Sequence, residues 1–163
     1  MDLKKIASVS LLAVAIAACG SDDEDRGEWD APYMAFEEEV LPGSQADFAI
    51  EAGDRAFYAF DMYNLNAESQ ETIERQAEWL KAYDDVDLSI SGHCDERGTQ
   101  EYNLALGQRR ADSHKNYLVA LGIDPRRIET ISYGKERPIV EGSTEAAYAQ
   151  NRTTIITLDR SEE

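Results

Sequence analysis

The chain has 163 residues and carries 33 acidic against 16 basic side chains, a net charge of -17 at neutral pH. That length closes one hydrophobic core and leaves room for appendages. Nucleic acid and anionic membrane surfaces both demand concentrated positive charge, so the balance excludes them as primary partners.

At the N-terminus, Lys4 and Lys5 precede an apolar run from Ile6 to Ala18. The run falls short of the ~20 residues that span a bilayer, and basic residues, an apolar stretch and small residues in that order form an export signal. Ile16-Ala17-Ala18-Cys19 resembles the bacterial lipobox. The likeness implies a signal peptide over residues 1–18, cleavage before Cys19, and lipid on the Cys19 thiol and new amino group. An ordinary secretory signal that happens to end at a cysteine is the alternative. Cleavage removes two lysines and one aspartate, so the exported chain is more acidic still. Two or more acyl chains anchor stably, each buried methylene contributing about 0.8 kcal/mol. An Asp placed after the cysteine and its neighbour marks inner-membrane retention in bacterial lipoproteins; here Ser21 stands there, which implies the outer membrane. Cys94, the other cysteine, is then left without a disulfide partner.

From Gly20 to Asp54 there are twelve acidic residues and a single basic one, Arg26. Self-repulsion and sparse apolar content predict a solvated tether over 19–46, in which Trp29, Tyr33, Met34 and Phe36 are scattered aromatic and apolar side chains. About 28 residues at roughly 3.4 Å each reach about 95 Å at most, enough to hold a domain over 47–163 away from a membrane. Ala56-Phe57-Tyr58-Ala59-Phe60 reads as a first strand. Asn66 is a candidate N-cap for an amphipathic helix over 68–83, with Ile73, Ala77 and Leu80 on one side. Val86 to Ser91 alternates as a strand with one buried face. A long helix follows and ends near Gly122, where Asp124-Pro125 breaks the chain. Strands at 128–133 and 153–158 flank a short helical turn near 145–149. Strand and helix alternate, so the fold class is α/β, a small sheet with helices packed across it.

The residues that carry chemistry concentrate between Gly92 and Leu118. Gly92-His93-Cys94-Asp95-Glu96-Arg97-Gly98-Thr99 links a strand to the long helix, which carries Asn103, Leu106, Gly107, Arg109, Arg110 and Ala111. A carboxylate, an amide and a guanidinium gather at a strand-to-helix junction where the first helical N–H groups lack partners, which suits a small zwitterion. Asn103 and Arg110 stand about two helical turns apart and project from nearly one face. Leu104, Gly107, Ala111, His114, Leu118 and Leu121 form the expected core stripe, with Arg110 at its flank. From the residues alone a bland alternative is open: Asp95 caps a turn and Arg110 pairs with Asp95 or Glu96. His93 and Cys94 invite a metal or nucleophile reading, but neighbours in an extended chain point to opposite faces, and no metal or other cofactor is expected.

The spacing of Asn103, Leu106, Gly107, Arg110, Ala111 and Leu118 is similar to the peptidoglycan-binding signature of the OmpA-like domain. The longer run through Asp95-Glu96-Arg97-Gly98-Thr99 resembles one branch of that family, the peptidoglycan-associated lipoproteins. The likeness covers roughly residues 47 to 158, with Gly53-Asp54-Arg55, Phe60-Asp61, Ser132-Tyr133-Gly134 and Asn151-Arg152 also in place. Cys94 stands where threonine is usual.

The resemblance implies a mixed four-stranded sheet, an α+β sandwich. It implies a non-enzymatic protein that binds the diaminopimelate-containing stem peptide of peptidoglycan. Asp95 would pair with the ammonium and Arg110 bidentately with the carboxylate; Asn103 would complete the recognition, and Phe60, Asp61 and Leu106 would share the pocket. Arg97 and Arg109 are read as surface or supporting charges. The likeness further implies an outer-membrane location facing the periplasm and the TolB and TolA proteins as partners in the Tol-Pal system. Two alternatives remain: a wall anchor outside Tol-Pal, and a thiol- or metal-dependent hydrolase using His93, Cys94 and Asp95.

Overall fold

The computed structural model describes residues 40–159. The signal segment, Cys19 and most of the tether lie outside the described residues. In chain order the elements are α1 (Gln45–Glu51), β1 (Arg55–Phe57), α2 (Ala67–Ala82), β2 (Asp87–His93), α3 (Gln100–Ala120), a single 3-10 turn (Pro125–Arg127), β3 (Ile128–Gly134), α4 (Glu145–Asn151) and β4 (Thr153–Asp159).

Four strands form one mixed sheet in the order β1-β4-β2-β3. β4 pairs antiparallel with both β1 and β2, and β2 pairs parallel with β3. A parallel pair needs a long crossover, and α3 supplies it. Leu88, Ile90 and Ile156 of the sheet are buried with Ile73, Ala77 and Leu80 of α2 and Ala111 and Leu118 of α3. The mixed four-stranded sheet agrees with the architecture the resemblance implied.

Three features differ from the sequence reading. α1 begins inside the segment read as tether and crosses the 46/47 boundary. It starts with reciprocal capping, Asp47 N–H donating to Ser44 Oγ and Gly43 N–H to the Asp47 carboxylate. Phe48 is fully buried, edge-on to Trp79 at 4.9 Å, and Gln45 bonds to Ile156 O and Leu158 N on β4.

The first strand is shorter than the aromatic run suggested. It ends at Phe57, although Tyr58 N–H still donates to Arg152 O at 2.9 Å, and the buried Tyr58 hydroxyl turns inward to Arg110 O. Asp61 then adopts a positive φ of 58°, which reverses the chain and leaves Phe60 56% exposed.

The buried face of α3 is also rotated from the expected stripe. Leu104 is exposed, while Asn103 and Arg110 join Gly107, Ala111, His114 and Leu118 inside. Polar residues face inward here because the flanking loops present carbonyls that need donors. α3 approaches β2 backbone to backbone. A Cβ on Gly92 would sit 1.9 Å from Gly107 O, and one on Gly107 would sit 2.3 Å from Ser132 Oγ. Only two glycines permit this approach, and it sets the start of α3 beside the end of β2.

Candidate functional site

Beyond β2, Cys94 N–H donates to Gly134 O at 2.8 Å, so sheet pairing persists one residue past the strand. Asp95 then closes a turn on itself: Oδ1 accepts from Arg97 N–H at 3.2 Å and Arg97 Nε at 3.1 Å. Its Oδ2 accepts from Arg97 Nη2 at 2.6 Å and Arg152 Nη1 at 3.3 Å. Burial raises the Asp95 pKa, but these guanidinium and backbone bonds outweigh it and hold the carboxyl below its ordinary value.

The loop is tied down along its length. Gly98 takes φ 93°, a conformation L side chains rarely adopt. Thr99 caps α3 by accepting from Tyr102 N–H. Asn103 Nδ2 donates to Arg97 O at 2.8 Å and Thr99 O at 3.1 Å. Lys135 donates to the carbonyls of Glu96 and Gly98, and Tyr148 OH to the Glu96 carboxylate at 2.6 Å.

Between this loop and the loop after β1 lies a cleft of about 230 Å³. Of the residues expected at the site, Phe60, Asp61, Asp95, Asn103 and Leu106 line it. Cys94, Arg97, Gly98 and Tyr102 line it too. The charged groups facing the cleft are therefore Asp61, Asp95 and Arg97, a set matched to a cationic or zwitterionic guest. Tyr102 OH donates to the Asp61 carboxylate and pins the two rims together. Arg97 lies against Phe60 at 4.1 Å and Tyr148 at 4.5 Å from its guanidinium carbon.

Arg110 sits one layer beneath, only 1% exposed. Its Nε donates to Met62 O at 2.8 Å, Nη1 to His93 O at 2.8 Å and Nη2 to Ala59 O at 3.3 Å. One guanidinium thus fastens the wall after β1 to the wall after β2. It makes no ion pair with Asp95 or Glu96 among the described residues. Burial lowers its pKa, opposed by the nearby Cys94 and Tyr58.

The remaining candidates are satisfied internally. His93 bonds to Arg137 O and Ser91 Oγ. Cys94 Sγ contacts Asn103 O, and burial pushes its thiol up to about 11, far from the lowered value a thiolate nucleophile requires. Sequence reading placed two contributors differently. Arg97, read as a surface or supporting charge, faces the cleft. Arg152, read as a support for the long helix from the start of the last strand, instead reaches Asp95 and Glu145 from the residue before β4. The clue to Arg97 was its position two residues after Asp95, the spacing of a local aspartate turn; nothing local signalled Arg152's long-range pairing.

Comparison with known proteins places these features in a family. The model of the OmpA family matches residues 57–152. A peptidoglycan-associated lipoprotein of Agrobacterium fabrum is 39% identical over 147 residues, covering 90% of this chain and 83% of the relative. One from Rhizobium meliloti is 47% identical over 119 residues, covering 73% and 68%. The crystal structure of the peptidoglycan-associated lipoprotein from Burkholderia pseudomallei superposes with a TM-score of 0.63 at 38% identity, over 65% of this chain and 90% of that one. The C-terminal domain of Helicobacter pylori MotB shares the fold at 20% identity, with a TM-score of 0.62 over 66% and 85% of the two chains.

Proposed function

The chain belongs to the OmpA family, within its branch of peptidoglycan-associated lipoproteins, and we propose that it ties the outer membrane to the cell wall by binding peptidoglycan non-covalently through the cleft between β1 and α3. The ligand is the diaminopimelate-containing stem peptide. Lipid on Cys19 holds the chain in the membrane, the acidic segment between Cys19 and α1 spans the gap, and the domain faces the periplasm. No bond is made or broken in the cleft.

The observation that carries the reading is the charge set of the cleft. The free end of diaminopimelate bears an ammonium and a carboxylate on one carbon, and the cleft presents two carboxylates and one guanidinium within a single small volume. Asp61 and Asp95 supply the negative field for the ammonium. Asn103 spends its amide hydrogens on the loop and keeps Oδ1 as an acceptor toward the guest. Phe60 and Leu106 cover the ligand's methylenes. Arg110 enters as a positioning residue, acting through the carbonyls of Ala59, Met62 and His93.

Phe60 and Tyr102 line the cleft and stand exposed, and Met62 and Tyr63, exposed too, follow in the loop after β1. Clustered exposed apolar side chains mark protein contacts, which supports TolB as a partner at the same mouth, with TolA as a further one. Co-purification of TolB with the full chain from solubilised envelopes tests this. Wall binding with no TolB recovered would place the protein outside Tol-Pal.

For the wall itself, the full lipidated chain in detergent is sedimented with peptidoglycan sacculi of the diaminopimelate and lysine types, beside an Asp95→Ala variant of native circular dichroism. Selective sedimentation with the first type, lost in the variant, is the expected result. Equal behaviour of wild type and variant, or no sedimentation, sinks the proposal.

A further inference from the structure

We propose that β3 is a self-recognising edge: two copies of this chain pair their β3 strands antiparallel about a two-fold axis at Ile131, joining two four-stranded sheets into one of eight strands.

The edge is open. β3 is the outermost strand of the order β1-β4-β2-β3, so its side away from β2 has no strand partner among the described residues. It runs for seven residues without a proline. An unpaired edge presents a row of backbone donors and acceptors, a template for another strand. Protection is slight, since Lys115 Nζ covers a single carbonyl, Ile128 O, at 2.6 Å. The opposite edge is treated otherwise: β1 has only three residues, and Ser69 of α2 donates to Phe57 O at 2.6 Å.

The two faces of β3 differ in chemistry. Thr130 Oγ1 bonds to Gln108 and Asp112, and Ser132 Oγ donates to Leu104 O, so both side chains face α3. Alternation puts Glu129, Ile131 and Tyr133 on the other face, where Ile131 is 41% exposed. Glu129 is exposed as well. The exposed Arg137 lies against Tyr133, its guanidinium carbon 4.0 Å from the ring centre, and its carbonyl bonds to His93 Nδ1 at 3.0 Å. Neither Glu129 nor Arg137 has an ion-pair partner among the described residues.

This order is self-complementary. A two-fold axis at Ile131 sets Ile131 against its own copy and Glu129 against Tyr133 of the second copy, with opposed Cβ atoms about 5 Å apart. That Tyr133 carries Arg137, so each Glu129 meets a guanidinium, and the symmetry makes the pair twice. The acidic exposed side of α2 stands by β1, at the far edge of the sheet. Exposed charges separated by more than about 8 Å are largely screened at physiological salt. One strand is a small interface, which makes the dimer weak in dilute solution. Copies held in one membrane by the lipid anchor proposed above meet at a raised effective concentration.

The test uses the full lipidated chain in detergent, carrying Ile131→Cys. Cys94 is buried and Cys19 carries lipid, so the introduced thiol reacts alone. Directly opposed antiparallel residues have Cα atoms about 4.5–5.5 Å apart, inside the range a disulfide spans. Mild oxidation should give a covalent dimer and nothing larger. Glu129→Cys, whose thiol faces Tyr133 of the second copy, should cross-link at least about fivefold more slowly. Adding Arg137→Glu to Ile131→Cys should slow cross-linking by at least about fivefold, because two attractive pairs become repulsive; adding Glu129→Arg as well should restore it. Equal rates for Ile131→Cys and Glu129→Cys, no slowing by Arg137→Glu, or no recovery in the charge-swapped chain overturns the proposal. Sedimentation equilibrium of wild type beside Ile131→Asp needs no introduced cysteine. A reversible dimer lost in the variant is expected, whereas a monomer at every concentration, or the same dimer in both, overturns it.

Discussion

Arg110→Met separates a structural arginine from a ligand arginine. Methionine replaces the aliphatic stem and donates nothing, so the carbonyls of Ala59, Met62 and His93 lose their shared donor. A hydrogen bond to a charged group contributes roughly 1.5–3 kcal/mol, and a buried acceptor left bare costs about 1–3 kcal/mol. Against that loss, the variant no longer buries a cation, a cost visible in the lowered Arg110 pKa. The Ala59 and Met62 carbonyls lie in a loop free to turn toward water, whereas His93 O sits at the end of a central strand and cannot. One fully stranded carbonyl and two partly relieved ones, less the recovered desolvation, give a net destabilisation of about 3 kcal/mol. Typical domains are stable by about 5–15 kcal/mol, so the variant should fold and be measurable.

Urea denaturation should show the midpoint falling with little change in slope, and thermal unfolding should drop by about 10 °C. The Phe60–Tyr63 segment should gain amide exchange, since its anchor is gone. Loss of peptide binding would accompany this loosening. A stability loss below about 1 kcal/mol combined with lost peptide binding would refute the reasoning, because it would mean that Arg110 serves the ligand and not the loops.

Three further outcomes follow from the packing and the buried groups. Gly92→Ala drives a Cβ to 1.9 Å from a backbone oxygen, whereas the alanine at Gly107 first meets the rotatable Ser132 hydroxyl at 2.3 Å; thermal melts should show the former as the more damaging, by more than about 1 kcal/mol, and equal melts would contradict the backbone-contact argument. His114, fully buried between Gln76 and Thr154, has its pKa lowered by burial to about 3, so the unfolded chain binds a proton that the folded one refuses; stability should fall as pH drops from 6.5 toward 5 by up to about 1.4 kcal/mol per pH unit for this group, and His114→Asn should show a shallower slope in urea titrations over that window. Cys94, buried and with its thiol raised to about 11, should resist a disulfide reagent at pH 8 until urea unfolds the chain, and Cys94→Ser should leave peptide affinity within about twofold; rapid labelling of native protein would revive the thiol-enzyme reading.

Periodicity and capping made most of the scaffold legible. Asn66 does cap α2, its Oδ1 accepting from Ser69 N–H at 2.8 Å, and the alternation from Val86 became β2. α1 was hidden by composition: Asp47, Glu51 and Asp54 continue the acidic run of the tether, and a single buried aromatic, Phe48, carries the helix's packing. Ser44 followed by Asp47 was the available sign, a capping pattern visible in the residues. The end of β1 was not legible, because the aromatic run from Phe57 to Phe60 has one composition and two environments. Tyr58 is buried through a hydroxyl that finds its partner 52 residues away, and Phe60 is thrown outward by the backbone reversal at Asp61.

The α3 signature poses the deeper problem. Spacing correctly brought Asn103 and Arg110 to one face, but spacing does not reveal which way that face looks. A helix whose inward positions include Asn103, Arg110 and His114 defeats the rule that apolar residues mark the core. The reason lies outside the helix: loops after β1 and β2 present carbonyls to it, and buried carbonyls require donors. Asn103 answers Arg97 O and Thr99 O, and Arg110 answers Ala59, Met62 and His93. These side chains therefore shape the cleft from behind. The charges that face a guest come from the loops themselves, Asp61 on one rim and the paired Asp95 and Arg97 on the other. It follows that changes within the helix signature should cost stability and affinity together, whereas Asp61→Asn, at an exposed rim, should weaken a cationic guest with little effect on stability.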